Sequence, residues 1–138
     1  MNDTTQANDD SPTSDESPLH DRVILITGGV QRIGAVVART LHAEGARLVL
    51  HYRGSRDAAH KLQEELNALR ENSVVLVRAD LLDQAALPAV VADALATWGR
   101  LDVLINNASS FYSTRPGPVT ETEWEDLMGT NTKAPYCF

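Results

Sequence analysis

Apolar residues in this chain alternate between short continuous runs and helical spacing from residue 22 onward. Val23–Ile26 is an unbroken apolar run, as a parallel strand covered on both faces requires. Ile33, Val36, Val37, Thr40 and Leu41 then recur on one face of a helix that Gly45 ends at a C′-like position. Leu48–Leu50 makes a second strand, and Ser55 can cap a helix carrying Ala58, Ala59, Leu62, Leu66 and Leu69 at helical spacing. Val74–Val77 is a third strand. Asp83 can start a helical region with Leu87, Val90, Val91, Ala94, Leu95 and Trp98 inward, closed by Gly99. Pro88 fits the first turn of that helix better than its middle. Val103–Ile105 is a fourth strand, followed by a Pro/Gly-bearing loop to Val119. Thr120-Glu121-Thr122-Glu123 reads as a capping box that opens a helix through Trp124, Leu127 and Met128.

The order is βαβαβαβ plus a helix, with no repeat at solenoid period. Right-handed crossovers turn that order into an α/β fold, a doubly wound, Rossmann-like parallel sheet with strand order 3-2-1-4. No fifth strand follows within the sequence. Ligands of such sheets bind beyond the carboxyl ends of the strands. The unusual clusters of the sequence, residues 27–34, 51–55, 79–81 and 106–111, all fall at such ends.

Composition and charge separate a tail from a domain. Residues 1–20 are rich in Asn, Asp, Ser, Thr and Pro, and are expected to form a disordered acidic tail, solvated or used as a charged interaction segment. Residues 21–138 are expected to be one domain. The formal charge of −7 is concentrated at the front: residues 1–21 hold six acids and no Lys or Arg, so the remainder is close to neutral. That argues against a duplex nucleic-acid partner, which calls for a basic face. Cys137 is the single cysteine, so no disulfide framework or Cys-based zinc site is expected. Neither a signal-peptide pattern nor an apolar run of transmembrane length stands in the sequence, and a cytoplasmic protein is the default expectation.

Chemistry concentrates in Thr27–Gly34, Thr-Gly-Gly-Val-Gln-Arg-Ile-Gly, between the first strand and first helix. Glycines there let the backbone approach a phosphate, and the helix N-terminus offers free N–H groups and partial positive charge. Arg32 stands between Gly28 and Gly34, where a related pattern has its middle glycine, and no Gly-Lys-Ser/Thr follows. A dinucleotide loop is expected over a plain tight turn. After the second strand come His51, Tyr52, Arg53 and Ser55, with no acid until Asp57. An NAD site places an acid there for the ribose 2′-OH, whereas Arg32, Arg53 and Ser55 suit a 2′-phosphate, so NADPH is the expected cofactor. The alternative is a basic surface loop. Asp80 can accept from the adenine amino group or simply shape a turn. Asn106 and Asn107 can hold the loop and the nicotinamide ribose, or form an ordinary turn.

With these residues in view, the chain resembles the short-chain dehydrogenase/reductase family. Thr27-Gly28…Gly34, Asp80, Asn106-Asn107-Ala108 and Asn131 stand in that family's order and spacing, across residues 22–138. Within the family it is similar to the pteridine reductases through Arg32 in the middle-glycine slot, His51-Tyr52-x-x-Ser55 and Asn106-Asn107-Ala108-Ser109-Ser110-Phe111-Tyr112. Trp98-Gly99-Arg100, Asp102-Val103-Leu104 and Ala134-Pro135-Tyr136 fit as well. The resemblance implies NADPH-dependent reduction of a pterin or dihydrofolate. It implies that Phe111 stacks on the pterin and that Ser109 touches cofactor phosphate or pterin. Thr27, Gly28, Arg32, Ile33, Gly34, His51, Tyr52, Arg53, Ser55, Asp80, Leu81, Asn107, Ala108 and Ser109 would form the cofactor site. Asn131 would bend the last helix and hold a water in a proton relay, with Pro135 kinking or opening that helix. Gly54 departs from the commoner basic or amide residue. The family's proton donor is a Tyr four residues before a Lys, but Asp57 precedes Lys61 and Gly129 precedes Lys133. The chain is therefore expected to be the cofactor half of a longer enzyme, inactive alone and prone to aggregate through its fourth strand. Tetramers are usual in the family. The alternatives are a ketone or 3-oxoacyl thioester reductase, or a non-catalytic dinucleotide-binding module.

Overall fold

β1 (Val23–Ile26) explains the architecture, because every one of its side chains is buried. The structure, a computed structural model, describes residues 17–138. On one side of β1, Ile24 and Ile26 pack with residues of α1 (Arg32–Ala43) and α2 (Arg56–Leu69). On the other, Val23 and Leu25 pack with Val90 and Ala94 of α3 (Leu87–Trp98). Two helical layers therefore require apolar residues at consecutive positions, each contributing about 1.5–3 kcal/mol when fully buried. β2 (Arg47–Tyr52), β3 (Val74–Arg78) and β4 (Val103–Ile105) complete a parallel sheet in the expected order β3-β2-β1-β4. Ile26 pairs with Leu50 and with Ile105, so β1 and β4 end level while β2 runs on two residues to Tyr52.

Several local expectations hold. Gly45, in the left-handed region, ends α1 as its N–H donates to His42 O and that of Ala46 to Leu41 O. Pro88 falls in the first turn of α3, after a short 3-10 turn (Gln84–Ala86) whose start Asp83 caps. The Thr120–Glu123 capping box is complete at α4 (Glu121–Met128). A π turn over Gly129–Lys133 joins α4 to α5 (Ala134–Cys137), so the opening expected of Pro135 lies in the turn before it.

Other expectations change. Ile33 and Val36 point outward, 73% and 62% exposed, while Gly34, Ala35, Ala38 and His42 are buried. Small side chains are selected beneath α1, and bulk is carried outside. Leu69 and Leu95 are exposed as well. Ser55 stands at the N-cap of α2 without capping it; its hydroxyl donates to Gln31 Oε1 at 2.9 Å. Ser17–His20, which the sequence places in the tail, form a turn. Ser17 is buried and donates to Glu44, and Leu19 packs on the core. Residues 1–16 of that tail lie outside the described residues.

At the opposite end of the sheet from the glycine loop, Asp102 joins β4 to β1. It accepts from Val23 N–H at 2.9 Å and from Arg22 and Arg100. Those donors, Arg100 first, hold its carboxyl down at about 2.

Candidate functional site

The loop after β1 is locked to the end of β4. Thr27 Oγ1 accepts from the N–H groups of Asn107 and Ala108, each at 3.0 Å. The Asn107 side-chain amide donates back to Thr27 O and Gly28 O at 3.0 Å. Thr27 itself is buried, so it fastens the loop from beneath. Gly28 has φ +60°, and a Cβ there would come within 3.0 Å of Ala108 Cα. Gly34 allows the start of α1 to pack on the loop: a Cβ would collide with Gly28 O and come within 2.7 Å of Asn107 Nδ2. No side chain caps α1, so its dipole remains available to an anion.

Arg32 occupies the left-handed region at φ +49°. A non-glycine residue there costs roughly 1–2 kcal/mol, and that conformation accounts for glycine in related patterns. Its guanidinium makes no hydrogen bond or ion pair among the described residues.

This loop forms one wall of an open cavity of about 500 Å³. The cavity brings together Gly28, Arg32, Ile33, Gly34, His51, Arg53, Asp80, Leu81, Asn107, Ala108 and Ser109 from the four strand ends. Among the other candidates, Tyr52 belongs to the core and Thr27 lies under the loop. Ser55 reaches the cavity only through Gln31, a lining residue that sequence reasoning missed. Thr130 also lines it unpredicted, brought in by the π turn. Neither a Gln in a turn nor a Thr in a helix carries a local signal.

Arg53 and Asp80 face each other across the mouth, with Arg53 Nη1 and Asp80 Oδ1 4.0 Å apart. Asp80 Oδ1 also accepts from Leu82 N–H at 3.0 Å, so the turn-forming alternative operates whatever else the carboxylate does. Arg78 Nε donates to Arg53 O at 3.1 Å and supports the loop after β2. His51 is buried; burial pushes its imidazole below the ordinary histidine range.

Asn131 lies outside the lining, yet it fixes one wall. Its amide donates to Ser110 O at 2.8 Å and accepts from Ser110 N–H at 3.0 Å. The pair ties the π turn to the segment carrying Ser109 and Phe111. Phe111 is 89% exposed beside the cavity. Replacing Asn131 with Ala is expected to lower stability by about 1–2 kcal/mol and accelerate hydrogen exchange at the Ser110 amide. Unchanged protection of that amide would contradict the clamp.

Among the described residues, no cluster of His, Cys, Asp and Glu is placed to hold a metal. No helix there is long and apolar enough to cross a membrane.

The family model for short chain dehydrogenases matches residues 22–138. Pteridine reductase 1 of Leishmania tarentolae is 37% identical over an alignment of 148 residues, covering 83% of this chain and 50% of that protein. Short chain dehydrogenase mdpC of Emericella nidulans is 34% identical over 118 residues, 86% of this chain and 44% of that protein. An uncharacterized oxidoreductase of Staphylococcus aureus strain USA300 is 33% identical over 115 residues, 83% and 48% of the two chains. The chain spans about half the length of the curated relatives it matches.

Proposed function

This chain belongs to the short-chain dehydrogenase family, and we propose that it forms the cofactor site of an NADPH-dependent reductase of pterins or dihydrofolate. One observation carries the cofactor choice. Two arginines, Arg32 from the glycine loop and Arg53 just after β2, line the same cavity, and no acid stands at the end of β2 where an NAD ribose would want one.

In this reading Arg32 and Arg53 hold the 2′-phosphate, and the Ser55 hydroxyl, which donates to Gln31 in the structure, turns from it to the phosphate. Asp80 and Leu81 border the adenine. The N-terminus of α1 and the backbone of Gly28, Ile33 and Gly34 take the pyrophosphate, a use for which that helix end is free. Asn107, Ala108 and Ser109 border the nicotinamide ribose. The cofactor, when bound, supplies a hydride. The chain's own residues orient it and keep one face of the cavity open to Phe111. A proton-relay role for Asn131 through a held water belongs to the same proposal.

Phe111 carries the substrate assignment. An exposed phenyl ring two residues after Ser109 offers a flat apolar face to a flat heterocycle. The similarity to a protein named pteridine reductase supports that choice. The test uses protein from the complete coding sequence, given NADPH with dihydrobiopterin or dihydrofolate. Pterin-dependent NADPH oxidation is expected, and Phe111→Ala should raise the pterin KM roughly three- to tenfold while leaving the NADPH KM near its original value. Oxidation with ketones or 3-oxoacyl thioesters and none with any pterin would overturn the substrate.

A further inference from the structure

His51 is held on two sides and supports the glycine loop twice. Gly28 N–H donates to its ring Nδ1 at 3.1 Å, and Gly29 N–H donates to its backbone oxygen at 3.1 Å. The ring Nε2 meets Ala79 O at 3.1 Å, at the end of β3. A carbonyl can only accept, so Nε2 carries the proton and Nδ1 is the bare acceptor. The ring is 2% exposed and joins the ends of β1, β2 and β3 directly beneath the cavity.

From this geometry we infer that His51 is a positioning residue, a neutral imidazole strut that holds Gly28 in its left-handed, phosphate-facing conformation. The inference rests on the dinucleotide reading above and reassigns His51 from touching cofactor to acting through Gly28. Protonation would place Nδ1–H against Gly28 N–H, and one of the two must move. The site is then competent only with His51 neutral, and acid weakens dinucleotide binding.

The charged neighbours are Asp80 beyond β3, Arg53 beyond β2 and Arg32 in the glycine loop. Asp80 favours the protonated ring, as does the bond to Ala79 O. Burial opposes both and dominates, so the folded-state value lies below the ordinary histidine range. Binding is therefore insensitive to His51 near neutrality. As pH falls through that lowered value, the apparent dissociation constant rises with a limiting slope of about tenfold per pH unit.

The experiment measures NADP⁺ binding by calorimetry from about pH 7.5 down through the pH at which the His51 ring itself is seen to titrate by NMR, on wild type, His51→Asn and His51→Leu from the complete coding sequence. Asn presents its Oδ1 where the histidine presents Nδ1, and does not titrate. The cofactor's 2′-phosphate titrates near pH 6, but both proteins share that contribution, so their difference isolates His51. His51→Asn should bind within roughly threefold of wild type near neutrality and lose less affinity in acid. His51→Leu, if its melting curve shows it folded, should bind about tenfold more weakly than wild type near neutrality, with the gap narrowing as the wild-type ring protonates in acid. Identical pH profiles for wild type and His51→Asn would overturn the proposal, as would full affinity in His51→Leu. A cofactor-free reading stands beside these: the Gly28 amide resonance should titrate together with the His51 ring. If wild type binds no NADP⁺ at any pH, the cofactor reading fails, and the Gly28 titration still decides the strut.

Discussion

Replacing Arg32 and Arg53 together with alanine weakens NADPH binding by about a hundredfold or more and changes NADH binding by only a few-fold. Each guanidinium would lose a charge-assisted contact to the 2′-phosphate, worth about 1.5–3 kcal/mol. Solvent at the open cavity mouth trims that range, and the two effects are not strictly additive. NADH lacks the phosphate, so it samples every other part of the site unchanged. Equal losses for both cofactors, read by fluorescence titration or calorimetry, would show that the arginines support the loop rather than select the cofactor.

The backbone at Arg32 allows a further separation within that prediction. Arg32→Ala keeps a β-carbon at φ +49°, so it removes the charge and retains the strain. Arg32→Gly removes both. The glycine variant should lose the same NADPH preference while melting higher, by up to about 1 kcal/mol, since the relief of strain exceeds the added entropy of the unfolded chain. This chain thus tolerates a strained conformation where an arginine side chain is placed at the cavity, as strained backbone at functional sites often does.

Gly34→Ala should be the most damaging single-atom addition to the domain. The new Cβ would meet the Gly28 carbonyl, Gly29 Cα and the Asn107 amide together. None of these can retreat cheaply, because Asn107 is committed to Thr27 O and Gly28 O, and Gly28 N–H is committed to His51. Overpacking of this kind costs roughly 1–3 kcal/mol, and backbone on the receiving side places the expected loss at about 3 kcal/mol. Dinucleotide binding should fall with it, since the start of α1 must draw back from the loop. Gly54→Ala is the matched control: no heavy atom would lie within 4 Å of its Cβ, and its stability should change by less than about 0.5 kcal/mol. Denaturant midpoints compare the two directly. A Gly34→Ala variant as stable as Gly54→Ala would show that the loop is not packed as described.

Physical scale separates the features legible in the sequence from those that were not. The four strands, the Gly45 and Gly99 helix ends and the Thr120–Glu123 box were legible because each depends on residues a few positions apart, and the strand order because right-handed crossovers leave few alternatives. The cavity's residues were legible at one remove, because a doubly wound sheet gathers its strand ends wherever the intervening helices go. By contrast, the inward face of α1 depends on how closely the helix approaches the sheet. That distance requires Gly34, Ala35 and Ala38 inside and sends Ile33 and Val36 out, against their hydrophobicity.

The same limit applies to partners distant in the chain. Ser55 has the chemistry of a cap, yet Gln31, twenty-four residues earlier, takes its hydroxyl. Asn131 meets Ser110 only because a π turn rotates it there. The sequence by itself determined a parallel α/β sheet, a glycine-rich anion loop and a basic, acid-free end to the second strand, since these follow from local periodicity and residue type. Only the tertiary structure decided that Thr27 and Asn107 lock the loop, that Arg32 reaches the cavity through a left-handed backbone, and that His51 braces Gly28. A hydrogen bond selects its partner by distance and direction, and between strand ends far apart in sequence the fold alone supplies both.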